Sequence, residues 1–185
     1  MNKINTSVII DGLLRIAAFG ALTSAALLAP ASLSALDKPL RRQLDKLDEH
    51  ARKREISKAM SYIRYRKLIT EDYQHGITLT EKAKRRLARN EINSLEIPRS
   101  TIWDEKWRIV FFDIPEKQKT KRDAFAGHLR RMGFAVLQRS VFVSPFPCRD
   151  EIALLSAYYE INQFVTYIEA SPIDNEALLR KHFDI

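Results

Sequence analysis

Residues 107–112 read WRIVFF. Aromatic and β-branched side chains dominate this run, without the polar alternation of a strand that turns one face to water. The segment therefore predicts a strand buried on both faces. Such a strand needs cover above and below, which commits its neighbourhood to helices layered on a sheet. Asp113-Ile114-Pro115-Glu116 stops the strand, and Pro115 prepares the following turn. Residues 118–132 predict a helix with Phe125, Leu129 and Met132 inward, basic residues outward and Gly133 as its stop.

FAVLQRS and VFVSP read as two adjacent short strands, and residues 147–160 as a second helix with Ile152, Leu155 and Tyr159 inward. QFVTYIEA is a fourth strand, and NEALLRKHF an apolar closing helix. The order β-α-β-β-α-β is that of the ferredoxin-like fold. In front of it, IPRS (residues 97–100) reads as a linker, because Pro98 disfavours helix at Ile97.

Charge divides the chain in the same place. Residues 37–99 hold 17 Lys/Arg against 10 Asp/Glu, residues 100–185 hold 12 of each, and residues 1–36 hold two basic residues and one acidic. Almost all of the net charge of +8 thus lies in about sixty residues. A localised basic excess is the footprint of a polyanion binder, since each neutralised phosphate releases counterions. The plain alternative is a solvated helical face. One cysteine, Cys148, cannot close a disulfide within the chain. The histidines (His50, His75, His128, His182) are scattered and make no zinc ligand set. Nothing calls for an oxidising compartment, and the expected location is the cytoplasm.

Residues Val8 to Leu36 are strongly apolar. A signal peptide, with Lys3 as its basic start and Ser34-Ala35 near a cleavage point, is one reading; a membrane-spanning helix is another. Asp11 and Arg15 interrupt the run, and the stretch from there to Pro30 is short of the roughly 20 residues needed to cross a bilayer. Export of a polyanion-binding module makes no functional sense. The expectation is a buried helix that ends at Pro30, packed between other helices or used in a dimer, with no membrane partner.

From Asp37 the composition changes. DKPLRRQLDKLDEH predicts a short helix with Leu40, Leu44 and Leu47 inward. In KREISKAMSYIRYRKLI, Ile56, Met60 and Ile63 share one face, whereas Lys53, Arg54, Ser57, Lys58, Ser61 and Arg64 fall largely on the other. An apolar back and a basic, hydroxylic front is the layout of a recognition helix in a major groove. Polar residues 71–75, Gly76 and the short strand ITL suggest a hairpin. Thr80 caps a last helix that carries Lys82, Lys84, Arg85, Arg86 and Arg89. The segment resembles winged helix-turn-helix regulators in the helix ending RKLI, the polar hairpin and the closing ITLTEKAKRRL; the alternative is a plain helical bundle.

WDEKWRIVFFDIPE followed by MGFAVLQRSVFVSPFPC resembles the central Cas2-like domain of the PaaX-like transcriptional repressors. It is similar also to the CRISPR-associated endonucleases of the Cas2 type. The longer repressors carry a further C-terminal region, so their acyl-CoA response is not carried over, and any effector stays unknown. The endonuclease resemblance implies that Asp113, with its symmetry mate, binds a divalent metal such as Mg²⁺. Asp113 reads first as the cap of the turn into Pro115, because one carboxylate is poor equipment for hydrolysis. Ser140 matches the family pattern and reads as structural, with no histidine close in the motif to activate it. Arg122, Arg130 and Arg131 either touch a second stretch of DNA backbone or form a solvated face. Cys148 reads as a semi-buried packing residue.

These readings combine into an α+β chain. Residues 1–96 are a winged-helix DNA-binding domain with an apolar N-terminal helix, and residues 101–185 a ferredoxin-like dimerisation domain. The expected function is sequence-specific double-stranded DNA binding and transcriptional repression as a homodimer, without catalysis or cofactor. Lys53, Arg54, Ser57, Lys58, Ser61 and Arg64 are the expected base and phosphate contacts, and Arg85 and Arg86 further phosphate contacts. The rival is a Mg²⁺-dependent nuclease or structural subunit of CRISPR adaptation, which would turn on Asp113.

Overall fold

The computed structural model describes residues 5–18, 38–72, 76–98, 102–174 and 176–185; most of the N-terminal apolar stretch, Pro30 included, lies outside them. The chain is α+β with two antiparallel sheets and divides into two compact units, Met1–Arg89 and Asn90–Ile185.

In the first unit, helix α1 (Thr6–Ala18) is the described part of the apolar stretch. It buries Ile9, Leu13 and Leu14 completely against helices α2 (Lys38–Leu44) and α3 (Glu49–Tyr65) and the second strand of a hairpin. Its apolar surface is thus spent inside its own unit. Gly12 lets α1 approach α2 closely: a Cβ there would lie 2.8 Å from the Leu40 Cβ. Among the described residues, no helix is long and apolar enough to cross a membrane.

Helix α2 stops at Leu44, so Leu47 lies beyond it and is only half-buried, although Leu40 and Leu44 face inward as expected. Helix α3 starts four residues before Lys53 because the Asp48 carboxylate accepts from the Ala51 amide at 2.8 Å, capping its first turn. It also ends before the expected RKLI. Lys67 takes a left-handed conformation (φ 52°), which turns the chain into strand β1 (Ile69–Asp72). Strand β2 (Gly76–Leu79) pairs with it in register Ile69 with Leu79.

Thr80 does two things. Its hydroxyl lies 3.0 and 3.1 Å from the Lys67 and Leu68 carbonyl oxygens, and it accepts from the Ala83 amide, capping helix α4 (Glu81–Asn93). Two residues later, Lys82 Nζ donates to the Arg66 carbonyl at 3.0 Å.

The second unit contains strand β3 (Trp107–Phe112), helix α5 (Lys119–Arg131), strands β4 (Ala135–Gln138) and β5 (Val141–Ser144), helix α6 (Arg149–Tyr158), strand β6 (Val165–Ala170) and helix α7 (Glu176–Phe183). The order of the first six is β-α-β-β-α-β, as expected. The sheet runs β4-β5-β3-β6, all neighbours antiparallel. Val110, Phe112 and Phe142 on one face pack with Phe125 and Leu129 of α5 and Ile152 and Leu155 of α6.

Strand β3 is not buried on both faces along its whole length. Trp107 and Val143 meet Leu179 of α7 on the other face, with Trp103, Ile109 and Phe183 at the margin. Past that cover the same face emerges, and Phe111 is 38% exposed.

One charge sits inside the β3 run. Arg108 is 3% exposed, and its guanidinium donates to Asp104 at 2.6 and 2.5 Å and to the Pro145 carbonyl at 2.7 Å. A buried cation is tolerable only with such partners. The guanidinium hydrogen bond in turn holds the Asp104 carboxyl below its ordinary range.

Candidate nucleic-acid interface

Helix α3 carries the candidate surface. At about 100° per residue, Lys53, Arg54, Ser57, Lys58, Ser61 and Arg64 fall within an arc of about 140°, and Ile56, Ala59, Met60 and Ile63 within an opposed arc of about 100°. Burial follows that division: the six are exposed and the four are buried. The apolar arc is held by α1, which fixes the direction in which the polar arc points.

Acids temper the face. Glu49 lies 2.8 Å from Lys53, Glu55 2.8 Å from Lys58 and 4.0 Å from Arg54, and Glu71 3.0 Å from Arg64. The four cations still expose 56 to 67% of their side chains. Exposed pairs of this kind are worth about 0–1 kcal/mol, so phosphate oxygens can replace the carboxylates at little cost. The Lys53 hydrogen bond holds the Glu49 carboxyl below its ordinary range, which keeps it charged near neutrality.

The two arginines picked out on α4 differ. Arg85 is exposed. Arg86 is turned into the fold: its Nε donates to Asp11 Oδ1 at 2.6 Å and its Nη2 to Ser7 Oγ at 2.9 Å, with the arginine and aspartate side chains 19 and 10% exposed. The geometry gives Arg86 a clamp between α4 and α1. Tyr65, 83% exposed, extends the polar face of α3 at its C-terminal end. It was missed in the sequence because only the charges and hydroxyls were weighed, although an aromatic on a basic face is itself a cue.

In the second unit Asp113 is exposed just past β3, and its amide donates to the Phe164 carbonyl at 3.0 Å. The next acid along the chain, Glu116, is engaged by Arg122 at 2.7 Å. Among the described residues no three His, Cys, Asp or Glu side chains gather as a metal set. Within one chain Asp113 belongs to no such set among the described residues. Cys148 is fully buried rather than half-buried, and burial pushes its thiol up to about 12. It stays protonated and is no nucleophile near neutral pH.

A sheet in the order β4-β5-β3-β6, with α5 and α6 on one face, defines the class: a ferredoxin-like domain of four antiparallel strands. Residues 100–180 match the family model of the PaaX protein central Cas2-like domain. That match gives residues 100–180 a Cas2-like domain of the kind found at the centre of PaaX proteins. The match does not extend over residues 1–99. Comparison with curated proteins finds no match.

Proposed function

We propose that this chain is a transcriptional regulator that binds double-stranded DNA through α3 and represses as a homodimer. The observation that carries the reading is the α3 face: four exposed cations and two hydroxyls on one arc, backed by a buried apolar arc. In this reading α2, the turn at Asp48 and α3 form the helix-turn-helix, and the β1–β2 hairpin is the wing. The tie from Thr80 to the end of α3 supports it, because it holds hairpin and helix in one orientation. Arg85 adds a backbone contact, whereas Arg86 serves the fold.

The C-terminal unit supplies the twofold. Phe111 and Ile168 lie on the sheet face that α7 leaves uncovered and are 38 and 43% exposed. An apolar strip on a sheet face is a common site of self-association.

The test is a salt-dependent gel shift of the full chain on random duplex DNA, with and without magnesium. Replacing Arg54 and Lys58 together by alanine is expected to weaken binding at least tenfold and to lower the log–log salt slope by about 2. Unchanged binding by that double variant overturns the placement of the interface. Magnesium-dependent cleavage that vanishes in Asp113→Asn would move the protein to the nuclease class.

A further inference from the structure

Three arginines of the C-terminal unit line one cavity. It has a volume of about 180 Å³, and Arg122 and Arg130 of α5, Arg139 of the β4–β5 turn, Ser140, Asp123 and Phe112 border it. Arg122 is mostly buried, with 15% of its side chain exposed. Its Nη1 donates to Glu116 at 2.7 Å, and its Nε stands 3.6 Å from Asp123. Its Nη2 is buried and has no hydrogen-bond partner among the described residues. The Arg130 guanidinium lies 5.4 Å from the centre of the Phe142 ring. Neither Arg130 nor Arg139 enters an ion pair among the described residues, so the three cations outnumber the two carboxylates that bear on them, Asp123 on the wall and Glu116, which pairs with Arg122 and feels the charge of Arg139.

A buried guanidinium N–H that nothing in the fold satisfies calls for an acceptor. A carboxylate ligand has one charge and two oxygens, which a single guanidinium fork already matches; the forks of Arg130 and Arg139, the Arg122 Nη2 and a hydroxyl exceed that need. A terminal phosphoryl group has the higher charge and the three outward oxygens that such a set suits. The cavity is smaller than the roughly 300–1,000 Å³ of drug-sized ligand sites, which fits a single headgroup. We propose that this cavity binds the terminal phosphate of a small phosphorylated ligand. A duplex backbone offers the same chemistry with one charge per phosphate. The near-neutral C-terminal unit, with 13 Lys/Arg against 14 Asp/Glu in residues 90–185, favours the small ligand.

The experiment is calorimetric titration of the full chain with inorganic phosphate and with pyrophosphate at fixed ionic strength, paired with duplex-DNA affinity on the same samples. Arg139→Gln and Arg130→Gln replace exposed side chains, and thermal melting verifies that both variants fold. Saturable binding that weakens about tenfold or more in each variant, with duplex affinity unchanged, is the expected result. Arg131→Gln, outside the cavity, should bind as the parent does. The proposal is overturned by absence of saturable binding, by an equal loss in Arg131→Gln, or by duplex affinity that falls in Arg139→Gln without phosphate binding. None of these outcomes bears on α3, whose test uses Arg54 and Lys58.

Discussion

The two units solve the same packing problem with different materials. Among the described residues, the buried side chains of the N-terminal core are aliphatic (Ile, Leu, Met, Ala), with no aromatic among them. The C-terminal unit is built around Trp107, Phe112, Phe125, Phe134 and Phe142. Residues 1–89 carry 18 Lys/Arg against 9 Asp/Glu, a net of +9, whereas residues 90–185 net −1. An aliphatic core holds one helix with its polar arc outward, whereas a core with aromatic rings among its aliphatic residues backs a four-stranded sheet. The first unit thus presents surface charge, and the second a sheet with uncovered apolar area and one arginine-lined cavity.

Four variants would break or sharpen that contrast. The largest effect is expected from Phe111→Lys combined with Ile168→Lys. It should convert a dimer to a monomer in sedimentation while leaving the near-ultraviolet dichroism of the aromatic core intact; a dimer that survives would remove the sheet face from the assembly. Next come the neighbouring arginines of α4, Arg86 tested through its α1 partner Asp11 and Arg85 directly. Asp11→Ala should cost about 2–4 kcal/mol in denaturant unfolding, since it strips the carboxylate from a mostly buried Arg86. Arg85→Ala should leave stability within about 0.5 kcal/mol while weakening DNA binding. Equal costs would erase the distinction between clamp and contact.

The smallest effect concerns pH. His128 is buried, its Nδ1 lies 2.8 Å from the Tyr159 hydroxyl, and burial holds its pKa below the ordinary 6.5. The folded state therefore takes up a proton less readily than the unfolded state. Its contribution to stability is complete above pH 6.5 and declines as pH falls below it. Melting temperatures measured from about pH 7.5 to 5 should fall for the parent chain and stay flatter in His128→Gln. The lowered carboxyl pKa values of Asp104 and Glu116 act in a more acidic window.

Periodicity carried most of the secondary structure, because the inward residues of α3, α5 and α6 recur at helical spacing. The order of the β-α-β-β-α-β elements followed from the same patterns. What escaped was decided by partners distant in the chain. Arg85 and Arg86 are indistinguishable in sequence; Asp11, 75 residues before Arg86, and Ser7 separate their roles. Phe111 looked as buried as Val110 because the length of sheet that α7 covers is not encoded in β3. Arg139 passed unremarked because the cavity it shares with Arg122 and Arg130 exists only once the β4–β5 turn folds beside α5. The α3 face was legible throughout, since one helix contains it.

The Thr80 tie has a consequence for how the hairpin opens. Its hydroxyl fastens the end where Ile69 meets Leu79, and the Thr80 amide donates to the Leu68 carbonyl at 3.0 Å, whereas towards the other end the described ties are the exposed Glu71–Arg64 pair and the exposed Thr70–Thr78 hydroxyl contact. Opening should then proceed from the far end, like a zipper with its base stitched. Amide protons near Leu79 and Thr80 would exchange with solvent slowly and those towards Gly76 quickly, giving a gradient of protection along only four residue pairs.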